Sequence, residues 1–117
     1  MMRSKRMRDT VYSALTDAKA RDICALDVRK ICDFTDYMVI VSATSARHAQ
    51  SIADKIRERM SSEGRKSLGV EGGRVGEWIL VDFGDVVFHV MQNKVRDFYN
   101  LEKLWGDGKK VRFAGRP

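Results

Sequence analysis

Apolar side chains fall at Val11, Ala14, Leu15 and Ala18, a spacing that lines one face of a helix about three turns long. Asp9 or Thr10 stands where the N-cap of that helix belongs. After Arg21 the period changes. Asp22-Ile23-Cys24-Ala25-Leu26-Asp27-Val28 reads as one strand and Tyr37-Met38-Val39-Ile40-Val41 as a second, with Asp33-Phe34-Thr35-Asp36 as turn chemistry between them. The second run is apolar at every position, which predicts a central strand covered on both faces. Helical period then returns with Ala49, Ile52, Ala53, Ile56 and Met60, starting from Ser45 as N-cap and stopping at Gly64.

The second half reads mainly as sheet. Gly69-Val70-Glu71-Gly72-Gly73 predicts a short strand running into a loop. Trp78-Ile79-Leu80-Val81-Asp82-Phe83 and Val86-Val87-Phe88-His89-Val90-Met91 are β-branched and aromatic runs joined by Gly84-Asp85, a hairpin signal. Asn93 can cap a helical turn holding Val95, Phe98 and Tyr99, and Asn100 another holding Leu101, Leu104 and Trp105. The order α-β-β-α-β-β-β-α predicts one α/β (α+β) domain, a mixed sheet of about five strands flanked by helices.

Composition supports a folded body. The chain has 117 residues, 44% hydrophobic, with one Pro, which is length and apolar content enough for one core. The largest apolar runs fall short of the roughly 18 residues a membrane span needs, and the start MMRSKRMRD has no apolar stretch after its charges. Cys24 and Cys32 lack metal or redox spacing, so reduced thiols and a cytoplasmic location are expected.

Charge changes the picture once it is divided along the chain. The net +6 resides in the ends: residues 1–8 carry Arg3, Lys5, Arg6 and Arg8, and residues 108–117 carry Lys109, Lys110, Arg112 and Arg116, with no acid in either. Residues 9–107 keep fourteen basic and sixteen acidic side chains, net −2. The expected organisation is therefore a basic N-terminal arm (1–8), a domain (9–107) and a basic tail (108–117), with arms suited to peripheral phosphate contacts. A generic RNA-binding module does not suit a body of that charge.

Candidate chemistry is sparse. His48 and His89 fall on different elements from the cysteines and do not make a zinc ligand set; His89 is expected to be partly buried and hydrogen-bonded to a neighbour. Asp82 and Asp85 could hold Mg²⁺ for phosphoryl transfer, but they flank a turn, where Asp85 serving the turn and Asp82 capping a neighbour is the simpler reading. No phosphate-binding glycine fingerprint is present, and no cofactor is expected. The large aromatics are the remaining candidates. Phe88 and Phe98 read as core; Trp78, Phe83, Tyr99 and Trp105 read as residues able to meet a partner, with Trp78 balanced between partner and core.

Several blocks together resemble one family. Asp27-Val28, Phe34-Thr35-Asp36-Tyr37-Met38-Val39-Ile40 and Thr44-Ser45-Ala46-Arg47-His48 are followed by Gly69-Val70-Glu71-Gly72, Trp78 through Val87, His89-Val90, Arg96-Asp97-Phe98-Tyr99 and Leu101-Glu102-Lys103-Leu104-Trp105. In order and spacing these resemble the Iojap, or ribosomal silencing factor (RsfS), family across about residues 9–107. Ala43 departs from a frequent glycine and Phe83 from a frequent tyrosine. The resemblance implies a nucleotidyltransferase-like fold without a working catalytic site, and an action without turnover. Such proteins bind the large ribosomal subunit through its protein number fourteen, hinder small-subunit joining, repress translation and assist large-subunit biogenesis. Carried onto this sequence, binding falls on Glu71, Trp78, Ile79, Asp82, Phe83 and Asp85, with rRNA contacts from the basic arms. Whether the free protein forms a homodimer stays open, and the alternative is a nucleotidyltransferase-related enzyme using Mg²⁺ and a nucleotide at Asp82 and Asp85.

Overall fold

A computed structural model describes residues 5–104 and 109–110. The chain runs α1 (Lys5–Asp17), β1 (Arg21–Asp27), β2 (Tyr37–Ala43), α2 (Ala46–Ser62), β3 (Gly69–Glu71), β4 (Trp78–Asp82), β5 (Val86–Gln92), α3 (Asn93–Tyr99), α4 (Leu101–Leu104) and β6 (Lys109–Lys110). All five strands read from the sequence are present, and the two-residue β6 adds a sixth against β1. Sheet order is β3-β4-β5-β2-β1-β6. Only the β2–β5 pair is parallel among these; each other neighbour is antiparallel. Every residue of β2 is buried, as its unbroken apolar run requires of a strand covered on both sides.

The two long helices lie together on one face. Val11 and Leu15 on α1, Ala18 just after it, and Ala49, Ile52, Ala53, Ile56 and Met60 on α2 meet Val39, Val41, Ile79, Val81, Phe88 and Val90 from the sheet in one core cluster. Arg59 of α2 ties the helices by pairing with Asp17 and donating to the Ser13 hydroxyl (3.1 Å). His48 adds a second tie. The Thr44 backbone N–H donates to its Nδ1 (2.9 Å), so Nε2 carries the proton and donates to the Ala18 carbonyl (2.9 Å).

Local signals set the ends of α2. The Ser45 hydroxyl accepts the His48 N–H (3.0 Å), satisfying one of the open donors of the first turn. At the other end Arg65 N–H reaches the Met60 carbonyl (2.8 Å) and Gly64 N–H the Ser61 carbonyl (2.9 Å), the paired closure that a glycine just past a helix permits.

Three expectations change here. Helix α1 is already formed at Lys5, so Asp9 and Thr10 lie inside it and half of the expected N-terminal arm is helix. Asn93 is the first residue of α3 and Gln92 holds the cap position, without a side-chain bond. Phe98, read as core, is 81% exposed: α3 is seven residues long and packs through Val95 and Arg96, which leaves Phe98 on its outer side. Residues 1–4, Trp105 and most of the basic C-terminal tail lie outside the described residues.

Among the described residues the opposite face of the sheet is covered only in part. Leu101 of α4 packs there with Leu26, Val28, Met38, Ile40 and Met91, and Cys24, Cys32 and Val95 border them. Arg96 anchors this cover. Buried, it donates to both Glu102 carboxylate oxygens (2.8 Å each) and to the Ser42 hydroxyl (2.7 Å), joining α3 to α4 and both to β2. The paired carboxylate holds its guanidinium pKa up against the opposing cost of burial.

Candidate site on the uncovered sheet face

Side chains on successive strand residues point to opposite faces. On β4, Ile79 and Val81 therefore enter the helix-side core while Trp78, Leu80 and Asp82 point the other way. Cross-strand register extends this surface: Leu80 sits opposite His89 of β5 and Glu71 of β3, Trp78 opposite Met91, and Asp82 opposite Val87. Next on the far side of β5, Met38 and Ile40 of β2 align with Val87 and His89. The result is an apolar floor of Leu80, Val87 and His89, with Ile40 beyond them buried in the cluster that holds Leu101 of α4, and with Glu71 and Asp82 toward the β3 side.

Rings border that floor. The Trp78 indole N–H donates to His89 Nδ1 (3.0 Å), with ring centroids 5.9 Å apart. Tyr99 of α3 lies 4.9 Å from Trp78, and Phe98 lies 5.0 Å from Tyr99 at 84°, separations within the favourable range for aromatic pairs. From His89, 7% exposed, the chain of rings thus runs outward to Phe98 at 81%.

Burial pushes the His89 pKa down to about 4, because a charged imidazole on this floor loses hydration without gaining a carboxylate. The ring is neutral at physiological pH, and with Nδ1 accepting from Trp78 its proton sits on Nε2.

The carboxylates have partners of their own. Asp82 Oδ1 accepts the Gly84 N–H (2.7 Å), where the backbone turns at φ +86°. Asp85 Oδ1 accepts from Arg65 (2.6 Å), and its carbonyl accepts the N–H groups of Asp36 (3.1 Å) and Tyr37 (3.0 Å). Asp85 therefore fastens the hairpin to β2. Among the described residues no group of three or more His, Cys, Asp or Glu side chains is placed to hold a metal ion, and no helix is long and apolar enough to cross a membrane.

Of the six residues expected to bind a partner, the structure brings Glu71, Trp78 and Asp82 onto one face and sets Asp85 at its corner. Ile79 (1% exposed) and Phe83 (5%) move to the core; Phe83 packs edge-on against Phe88 at 5.8 Å. The reason is parity, since one and five positions from Trp78 are odd steps along an extended chain. The same alternation places Leu80 on the face with Trp78 and Asp82, although its apolar side chain alone does not distinguish it from Ile79 and Val81. His89 is found only through the β4–β5 register. Gly72 fixes the neighbouring edge: its backbone is at φ +81° and so close to the Trp78 carbonyl that any side chain would collide with it.

Fold and surface together define an α/β protein with a helix-covered core on one side of its sheet and a ring-bordered, partly open face on the other. The chain belongs to the RsfS family, described as ribosomal silencing factor during starvation, whose sequence model matches residues 2–116. It is 42% identical over 101 residues to the ribosomal silencing factor RsfS of Chromobacterium violaceum, covering 86% of this chain and 82% of that one. A crystal structure of a protein from the same organism superposes with a TM-score of 0.81 at 39% identity, over 92% of this chain and 88% of the other. The mouse protein called mitochondrial assembly of ribosomal large subunit protein 1 is 37% identical over 100 residues, 83% of this chain but 44% of its own length.

Proposed function

We propose that this chain is a cytoplasmic ribosomal silencing factor that docks its uncovered sheet face on the large ribosomal subunit, chiefly on protein number fourteen, and thereby blocks small-subunit joining. The observation that carries this reading is the side-by-side arrangement of Trp78, Leu80 and the Tyr99–Phe98 pair with the acidic Glu71 and Asp82. A half-buried tryptophan with apolar neighbours supplies area to bury, and flanking carboxylates favour a basic partner surface. Repression of translation then follows from occupancy, and no turnover is needed. Asp85, paired with Arg65 at the hairpin corner, holds the rim in place and adds little net charge to it. The basic ends would contribute salt-sensitive attachment to rRNA phosphates. The mouse relative's name refers to large-subunit assembly, and the same docking would let this chain assist large-subunit biogenesis.

Sedimentation of the tagged chain with purified subunits, followed by re-association at raised Mg²⁺, tests the proposal. Migration with large subunits and a reduced yield of joined ribosomes is expected. Binding without loss of joining would make the chain an assembly factor only, and absence of binding would refute the docking.

A further inference from the structure

His89 is more than nine-tenths buried, yet it commits only one ring nitrogen inside the protein. Its Nδ1 accepts from Trp78, which leaves the N–H on Nε2. Among the described residues that N–H has no partner, and since no fully enclosed side-chain nitrogen or oxygen lacks one, Nε2 is not fully enclosed. A lone N–H donor on an apolar floor is costly to cover with anything that cannot accept from it.

We propose that His89 is a specificity-determining contact of the docking face, its Nε2–H donating to a neutral oxygen acceptor, such as a backbone carbonyl, presented by the partner protein. This inference rests on the docking reading above. Three features of the floor select that acceptor. His89 lies in register between the partly exposed Leu80 and Ile40, which is fully buried in the cluster with Leu101, so the acceptor must arrive over Leu80, within apolar surroundings. Glu71 lies one strand beyond Leu80, and Asp82 follows Leu80 by two residues on the same face, so a carboxylate would be repelled. The imidazole stays neutral in this surrounding, so it offers a directional donor and not a charge. The bond to Trp78 supplies the direction: it fixes both the tautomer and the ring angle, and couples the donor to the adjacent indole.

Two isosteres separate the ring's nitrogens. His89→Asn keeps an acceptor near Nδ1 for Trp78 and has nothing at Nε2; His89→Gln puts an amide N–H near Nε2. Against purified large subunits, H89N should bind about tenfold or more weakly than wild type and H89Q within about threefold. Equal binding by H89N and wild type would overturn the inference, and so would normal H89N with weakened H89Q, which would make His89 a positioning residue for Trp78.

A measurement on the unaltered chain guards against loss of folding in the variants. With histidine ¹⁵N-labelled, the Nε2–H of the free protein should exchange rapidly with water and become protected on adding isolated ribosomal protein number fourteen. A bound complex without that protection would overturn the inference alone. Failure of the wild-type chain to bind either probe would overturn the docking reading, and this inference with it.

Discussion

The two faces of the sheet are built from the same strands, residue by alternate residue, and yet solve different problems. On the helix side, α1 and α2 present full apolar stripes and seal every strand from β4 to β1. Among the described residues the other side is covered by short segments: α3, four-residue α4 and the loop that carries Cys32. That cover reaches β1, β2 and the edge of Trp78, leaving Leu80, Asp82 and Glu71 accessible to varying degrees. The lesson is that a helix-sealed face stabilises while a half-covered face remains available, and that strand alternation keeps the two tasks on separate residues of one strand.

Substitutions that respect this division should separate stability from binding. The largest effect belongs to the sealed face. Phe88→Ala removes a ring with no exposure and should destabilise the fold by about 3–5 kcal/mol, read as a shift of the denaturant midpoint. Any effect below about 1 kcal/mol would show that this core is not close-packed around the ring.

On the open face, His89 makes stability depend on pH. Its folded pKa of about 4 lies below the ordinary 6.5, so at acidic pH the unfolded chain takes up a proton that the folded chain refuses. The contribution is complete above pH 6.5 and lost as pH falls toward 4, at most about 3 kcal/mol in all. H89Q should lack that part of the slope, while keeping whatever the carboxylates contribute. Identical pH–stability profiles for the two proteins would place the imidazole in a far more hydrated setting.

Trp78→Ala should weaken large-subunit binding by about 2 kcal/mol, the scale of an interface hot spot, in a chain that still unfolds cooperatively. Smallest is Arg96→Leu. Glu102 is 37% exposed at its side chain and can recover water, so loss of these bonds should cost about 1–2 kcal/mol. Its sharper signature is local: amide exchange should quicken in α3 and α4 and not in α2.

Much of the helix-side architecture is legible in the sequence, because it depends on periodicity. The α2 stripe read from spacing, Ala49, Ile52, Ala53, Ile56 and Met60, is the stripe the structure buries, and Ser45, Gly64 and the β4–β5 hairpin act as their residue types dictate. Short elements are harder to read. The seven-residue α3 has too few turns for a stripe to define its buried side, so its apolar content alone does not place Phe98 on the outside. The family resemblance carries a partner role onto the whole Trp78-to-Asp85 segment without regard to alternation, whereas the structure buries Ile79 and Phe83 in the core. The His89–Trp78 bond depends on cross-strand register eleven residues apart, which no local pattern encodes.

The central claim is that the open face, and not the molecule at large, stops subunits from joining. Light scattering of small and large subunits mixed with wild type or Trp78→Ala tests it directly. Wild type should suppress the rise in scattering in proportion to its occupancy of large subunits, and W78A should need about thirtyfold more protein for the same suppression. Equal suppression by a well-folded W78A chain would contradict the account.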